Sequence, residues 1–547
     1  MVIKMFLKIK SEDLWRFLPV LFFIFFISPV AIVLSSLFGQ YSENWSHLYN
    51  YVLSDYVINS FLLITGVSIL TSLIGIITSW LVTNFNFSGK KFFEWALILP
   101  LSVPPYILAY TYTGLFDASG SANTFLIEIF NLDKSTIIFP NIRNIYGAVI
   151  VFSFTLYPYV YLICRMAFVN HSKSIIESGR VLGLSRIGAF FNLSIPLIRP
   201  AIIAGLALVI METLSDFGAV DHFAIATFTT GIFRTWYGMY DLETAMQLAS
   251  FLLIFITIVL FTERISRRKM SFTFENSLYK KTDILKLRGI KNLSAFVICF
   301  LPIFMGFLLP IIELINWSIS YKLDFFNSKF IKTSMNSIIL AFVAALLCSM
   351  FALIINYSIR FLKNSFLSFL SSSLSLGYAF PGLILAVGII QLLTFVDSLL
   401  ITQSLGLILT GSILGLIIAY IIKSYAMASS TIDSSYQRIS TYVDDVSKTL
   451  GITGWKMLVK IHFPLIKTGV LTSALLVISE VIKELPATLI LRPFNFDTLA
   501  VSAYIYASEE RMFEAAAPSI AIVMVGLLPI YFLSRMIRES RPGASIW

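Results

Sequence analysis

The chain has 547 residues, 57% hydrophobic and 15% aromatic, with only 13% charged and a net charge of +10, against roughly 25% charged for an ordinary soluble domain. This composition excludes a soluble enzyme and a nucleic-acid-binding domain, and leaves a polytopic membrane protein whose basic excess faces anionic lipid. Apolar runs of about 20 residues, enough to cross about 30 Å of hydrocarbon, begin near Phe17, Ile58, Trp95, Tyr146, Ile198 and Thr244, and again near Ser294, Met335, Leu370, Ser404, Ile466 and Phe513. They predict twelve spans. The spans are helical, because a β-barrel would show segments of about ten residues with strict alternation. The first run, Phe17 to Phe38, follows Lys4, Lys8, Lys10 and Arg16 but exceeds a signal h-region and is read as a retained span. Cys164, Cys299 and Cys348 have no CxxC spacing and are expected to be packing residues.

Lys and Arg beside the spans set the orientation. Segment 39–57 has none, whereas Lys90 and Lys91, then Lys173, Arg180, Arg186 and Arg199, and above all the stretch 263–293, are basic. Both termini are therefore expected on the cytoplasmic face. Only the loop with Lys322, Lys329 and Lys332 disagrees. Residues 263–293 divide the chain into a first six-span half, 1–262, and a second, 294–547.

The halves repeat one another. Glu177, Gly183, Leu193 and Pro196 recur 268 positions later as Asp445, Gly451, Ile461 and Pro464. The same offset relates Glu212 to Glu480, Asp216 to Glu484 and Ala219 to Ala487, while "INSFLL" at 58 echoes "MNSIIL" at 335. Two homologous six-helix halves in the same orientation are expected. Ser174 with Glu177, and Thr441 with Asp444, have the spacing that caps a helix start. The glycine then allows a turn, a short amphipathic helix follows, and Pro196 or Pro464 sits near the start of the next span. This predicts a helix–turn–helix elbow on the cytoplasmic side of each half, in search of a partner groove. An interfacial helix lying on lipid is the alternative.

The elbow spacing, "ESG…G…LSIP" and then "DVS…G…IHFP", resembles the cytoplasmic coupling signature of ABC importer permeases. Stretches 211–249 and 481–522 look like the corresponding regions of fused, twelve-span ferric iron permeases, and the resemblance covers nearly the whole chain. It implies a type I ABC importer permease fold, two copies of a separate cytoplasmic ATPase, and an extracytoplasmic Fe(III)-binding protein. It further implies a bacterial inner membrane location and Fe(III) as substrate, with no permanently bound cofactor. Fused thiamine permeases share the architecture, and a secondary transporter is a more distant alternative.

The expected coupling residues are Glu177, Gly183, Pro196, Asp445, Gly451 and Pro464. No G-x-x-x-x-G-K-[ST] occurs, so ATP is expected to be hydrolysed by a partner and the chain itself is not read as an enzyme. His47, His171, His222 and His462 are scattered and are not read as a metal site. Glu212 and Asp216, like Glu480 and Glu484, are four apart, which on a helix places each pair on one face. As costly intramembrane acids they are candidates for the substrate path, with Glu212 and Glu480 as transient oxygen ligands to a hard ferric ion. The alternative is that Glu212 and Glu480 bond to neighbouring helices while Asp216 and Glu484 end the spans.

Overall fold

The computed structural model describes residues 11–118, 120–131, 133, 138–181, 183–268, 285–400 and 408–539. Ten helices among them are long and apolar enough to cross a membrane. At the third expected position, near Trp95, a helical pair, Lys90–Ser102 and Pro105–Phe130, is bent by 89°. The cause is Pro104–Pro105: each ring removes a backbone donor and pushes the residue before it out of the helical region. Near Leu370 the expected span instead starts at Gly382, after the helix Ser365–Leu374 and a 3₁₀ turn Ser375–Ala379. Pro381 stands at that break, 277 positions after Pro104. The expected start at Ser404 lies outside the described residues, and the helix there begins at Ile413. The last expected span is a shorter apolar helix, Ala516–Tyr531. Apart from helices, Phe85–Asn86 pairs in parallel with Leu285–Lys286.

The described chain gathers into two compact units, and neither is contiguous in sequence. One unit holds the residues up to Ser42, 235–250 and 325–502. Its centre is a trio of helices, Ser328–Leu362, Ile413–Gln437 and Phe463–Ile482. Close approach there depends on small residues: a Cβ on Gly469 would lie 2.0 Å from Ser435 Oγ, and Ser349 and Ser473 hydroxyls meet at 3.0 Å. The N-terminal helix Ser11–Ser35 packs on this unit, with Trp15 edge-on to Tyr357 at 4.7 Å.

The other unit holds 43–234, 251–324 and the residues from Ala503. Helices Leu53–Asn84, Ile145–Val181 and Ile195–Ser215 form its centre. Glycines at their crossing are required by distance, since a Cβ on Gly205 would sit 2.9 Å from Val160 Cα and one on Gly75 2.8 Å from Val160 Cβ. Helices Ile290–Ile303 and Ala516–Glu539 belong here too. Each unit thus takes helices from both sequence halves.

The echoed "NS" pairs do the same work in each unit. Asn59 Nδ2 donates to Ala226 O and Asn336 Nδ2 to Asp497 O, both at 3.0 Å. Ser60 Oγ accepts from Phe228 N at 3.4 Å and Ser337 Oγ from Leu499 N at 2.8 Å. In both cases the acceptor serves the first N–H groups of a helix, which have no partner within that helix. The helices served are Phe228–Phe233 and Leu499–Ser508.

Candidate coupling elbows and acidic pairs

Both elbows form their turns on the expected glycines. Gly183 has φ +85° and Gly451 φ +71°, left-handed values that cost an L-residue about 1–2 kcal/mol. A Cβ at either glycine would meet nothing within 4 Å, so backbone conformation alone requires glycine there. The expected caps do not form. Ser174 and Glu177 fall inside the continuous helix Ile145–Val181, and their side chains lie outside the described residues. Thr441 precedes the helix Tyr442–Thr449 but makes no side-chain cap. Pro196 and Pro464 stand at the second residue of helices Ile195–Ser215 and Phe463–Ile482, near the span starts as expected. Pro196 and Pro464 each follow a π-helical turn, Phe190–Ser194 and Leu458–His462, that runs on into the span. The wider turn accommodates a ring that would otherwise strike the carbonyl four residues back.

In the second elbow Asp444, next to the expected Asp445, is the residue held by the fold. Its carboxylate accepts from Arg360 Nε at 2.8 Å, which is why it is not a capping acid. His462 Nε2 approaches the other oxygen to 3.1 Å. Arg360 also donates to the carbonyls of Tyr436, Ile439 and Ser440 at 2.8–3.1 Å, holding the end of the preceding span. Tyr357 Oη donates to Gly454 O at 2.8 Å.

The consequence is an inverted helix. Along Tyr442–Thr449, Asp444 and Ser447 are buried, while Tyr442, Val446 and then Leu450 are 78%, 58% and 70% exposed. Asp445 is exposed. Exposed apolar side chains at i, i+4 and i+8 make a stripe that this chain leaves open. Arg360→Ala is expected to free the elbow without unfolding the bundle, seen as cleavage of 438–453 at least tenfold faster in limited proteolysis. Lys should not restore protection, because an ammonium cannot reproduce the planar guanidinium fork.

The acidic pairs do not share helix faces as expected. Helix Ile195–Ser215 carries half-buried Glu212 but ends before Asp216, whose backbone is extended (ψ 138°). Asp216 Oδ1 accepts from Ala219 N at 2.9 Å and so caps the short helix Gly218–His222. Glu484 likewise lies past helix Phe463–Ile482 and accepts from Ala487 N at 3.3 Å, at the head of Pro486–Leu491. This repeated acid-x-x-Ala pattern is a capping device. Two lysines that sequence reasoning passed over complete the second pair. Buried Glu484 forms an ion pair with Lys423, and buried Glu480 pairs with Lys483 at 2.8 Å. A lone lysine in the apolar run "IIAYIIKSYAMA" was the available signal. Glu212 and Asp216 belong to one unit, Glu480 and Glu484 to the other. Among the described residues no group of three or more His, Cys, Asp or Glu side chains is placed to hold a metal ion.

One further group of polar side chains gathers at the end of the Glu212 helix away from its elbow. Asp221 accepts from Tyr504 Oη at 2.8 Å. Burial raises the Asp221 carboxyl from its ordinary range, and the Tyr504 hydrogen bond opposes that. His222 meets Thr113 Oγ1 at 3.0 Å; burial, helped by Arg143, lowers its imidazole to about 3.

Apolar helices of spanning length, left-handed glycine elbows and buried charge pairs describe a helical, multi-span membrane protein. The model of the family described as binding-protein-dependent transport system inner membrane component matches residues 72–271, less than half of the chain. It is 25% identical to the Fe(3+)-transport system permease protein FbpB 2 of Haemophilus influenzae over 88% of this chain and 90% of that one. To the ferric transport system permease protein FbpB of Actinobacillus pleuropneumoniae it is 24% identical over 89% and 72%. The sulfate transport system permease protein CysT of Salmonella typhimurium is 26% identical over 35% of this chain and 68% of its own length. The resemblance to fused ferric iron permeases is therefore borne out along most of the chain.

Proposed function

We propose that this chain is the membrane subunit of an ATP-driven importer that receives Fe(III) from an extracytoplasmic binding protein and delivers it to the cytoplasm. The observation that carries this reading is the extent of similarity: named ferric permeases align along nearly nine-tenths of the chain, whereas a sulfate permease aligns along about a third. A shared domain alone would give the second pattern.

In this reading the elbows at Gly183 and Gly451 dock into two copies of a cytoplasmic ATPase, with the open stripe Tyr442, Val446, Leu450 on the contact. Glu177, Pro196, Asp445 and Pro464 frame those elbows. Nucleotide-driven closure moves the elbows, and the helices that continue from them carry the motion along the spans. Asp216 and Glu484 shape the far ends of those helices, while Glu212 and Glu480 offer passing oxygen contacts to the ferric ion.

The direct test is uptake of ⁵⁵Fe by cells or proteoliposomes carrying this chain, its ATPase and its binding protein. ATP-dependent iron uptake that excess thiamine or sulfate does not compete away is expected; uptake of thiamine instead would replace iron as the substrate. Topology is checked separately. All three native cysteines are buried, so the native chain should give little background labelling. Single cysteines at Asn44 and Asn495 should react with an impermeant maleimide from outside intact cells, and one at Thr449 only after permeabilisation. Outside labelling at Thr449 would reverse the orientation.

A further inference from the structure

A cavity of about 170 Å³ opens within the unit that holds the first elbow, and its wall includes Tyr110, Arg143, Asp221, His222, Tyr504 and Glu510. It lies at the end of the central helices remote from Gly183. Arg143 stands just before the helix that begins at Ile145 and runs toward that glycine, and Asp221 and His222 follow the helix that returns from it. None of these residues belongs to the elbows or the acidic pairs.

The hydrogen-bond network fixes which atoms are available. Thr113 Oγ1 donates its single proton to Ala109 O at 2.9 Å, so at its 3.0 Å contact with His222 it must accept, and Nε2 carries the hydrogen. The neutral ring then presents Nδ1 as a lone pair, held in orientation from behind as metal-ligating imidazoles are. Tyr504 Oη donates to Asp221 Oδ2 at 2.8 Å, which leaves Asp221 Oδ1 to accept. Tyr110 is 2% exposed and its hydroxyl has no hydrogen-bond partner. A buried hydroxyl without a partner is unfavourable, so this is a polar group held where a ligand would satisfy it. At the rim Arg143 and Glu510 are 3.8 Å apart, with side chains 34% and 80% exposed, a loose pair that can open.

One carboxylate oxygen, one phenol oxygen and one imidazole nitrogen suit a hard to borderline metal ion and fill about half of an octahedral shell. The guanidinium beside them suits a carboxylate or phosphate oxyanion. Resting on the ferric reading above, we propose that this cavity is a transfer station for a ferric ion that arrives with a small oxyanion chelate. Asp221, Tyr504 and His222 take the metal and Arg143 takes the anion. On binding, the Tyr504 phenol gives up its proton, which Asp221 Oδ2 receives and passes to water. Three protein ligands hold the ion too loosely to keep it, as conduction requires.

The test uses the purified permease with its ATPase subunits, titrated with ferric citrate. Phenolate coordination produces a visible charge-transfer band, and binding is read independently by equilibrium dialysis of ⁵⁵Fe. Tyr504→Phe retains the ring that packs 5.8 Å from Phe217; it should abolish the band and weaken binding by about 10–100-fold, the range seen when a metal site loses one supporting group. His222→Gln, whose amide can still reach Thr113, should weaken binding about tenfold while leaving membrane levels unchanged, and keeps the test open if the first variant misfolds. Gallium citrate should compete. Native affinity in both variants, or equal binding of citrate without metal, overturns the site. If the native transporter takes up ⁵⁵Fe but shows no band, the station is wrong and the ferric reading stands. If it takes up no iron at all, the reading of the function has failed.

Discussion

Lys423→Met is expected to destabilise the permease by about 3–5 kcal/mol, the usual cost of stripping one partner from a buried ion pair. Lys423 lies within the apolar helix Ile413–Gln437, and its side chain is 11% exposed against 6% for Glu484. Removing the ammonium leaves a carboxylate that cannot move away, because Glu484 also caps the helix Pro486–Leu491 and sits against Gly382, where even a Cβ would come within 2.5 Å of its Oε1. The double variant Lys423→Met, Glu484→Gln should recover most of the loss, since glutamine keeps the capping oxygen without the charge. Thermal denaturation of the detergent-solubilised protein measures both. A double variant as unstable as the single would mean that Lys423 acts through packing and not through Glu484. Because the pair closes the end of a helix that starts at the second elbow, the rescued double variant also tests whether charge, and not the cap alone, matters for uptake.

The periodic and repeated features of the sequence were legible, and those that depend on tertiary partners were not. Runs of apolar residues located most of the helices, because length and hydropathy alone decide whether a helix can cross a bilayer. They failed near Trp95 and Leu370, where Pro104–Pro105 and Pro381 break the run without making it less apolar. Gly183 and Gly451 were readable because a left-handed turn admits few other residues. The acids misled for a physical reason. Spacing of four implies a shared face only while the helix continues, and Asp216 and Glu484 stand one and two residues past the ends of their helices, where a carboxylate is more useful as a cap. Nothing local separated Asp444 from Asp445. What separates them is Arg360, 84 positions away in sequence. The exchange of helices between the two compact units was invisible for the same reason, since a repeat records common descent of segments and not which partner each packs against.

Gly183→Asp and Gly451→Asp should each lower ATP-driven uptake at least tenfold with the permease still in the membrane at native levels, and together should abolish it. At both positions an added Cβ would meet nothing in this chain within 4 Å, so the loss is not expected from crowding at the backbone. Two causes remain, and a second substitution separates them. Asparagine tolerates the left-handed region where valine does not. If the turn itself is what matters, Gly451→Asn and Gly451→Asp should both retain much more activity than Gly451→Val. If the open surface beside Leu450 is the contact for the ATPase, asparagine, aspartate and valine should all weaken co-purification of the ATPase. Leu450→Asp, which leaves the turn untouched and lies on the same exposed stripe as Tyr442 and Val446, should do so as well. The readouts are ⁵⁵Fe uptake, ATPase activity of the assembled complex and the amount of ATPase retained on the purified permease. Retained ATPase with lost uptake would mark a break in transmission and not in docking. Native uptake in the Gly183→Asp, Gly451→Asp double variant would remove the elbows from the coupling path, leaving the buried Arg360–Asp444 brace as a structural closure of the second bundle.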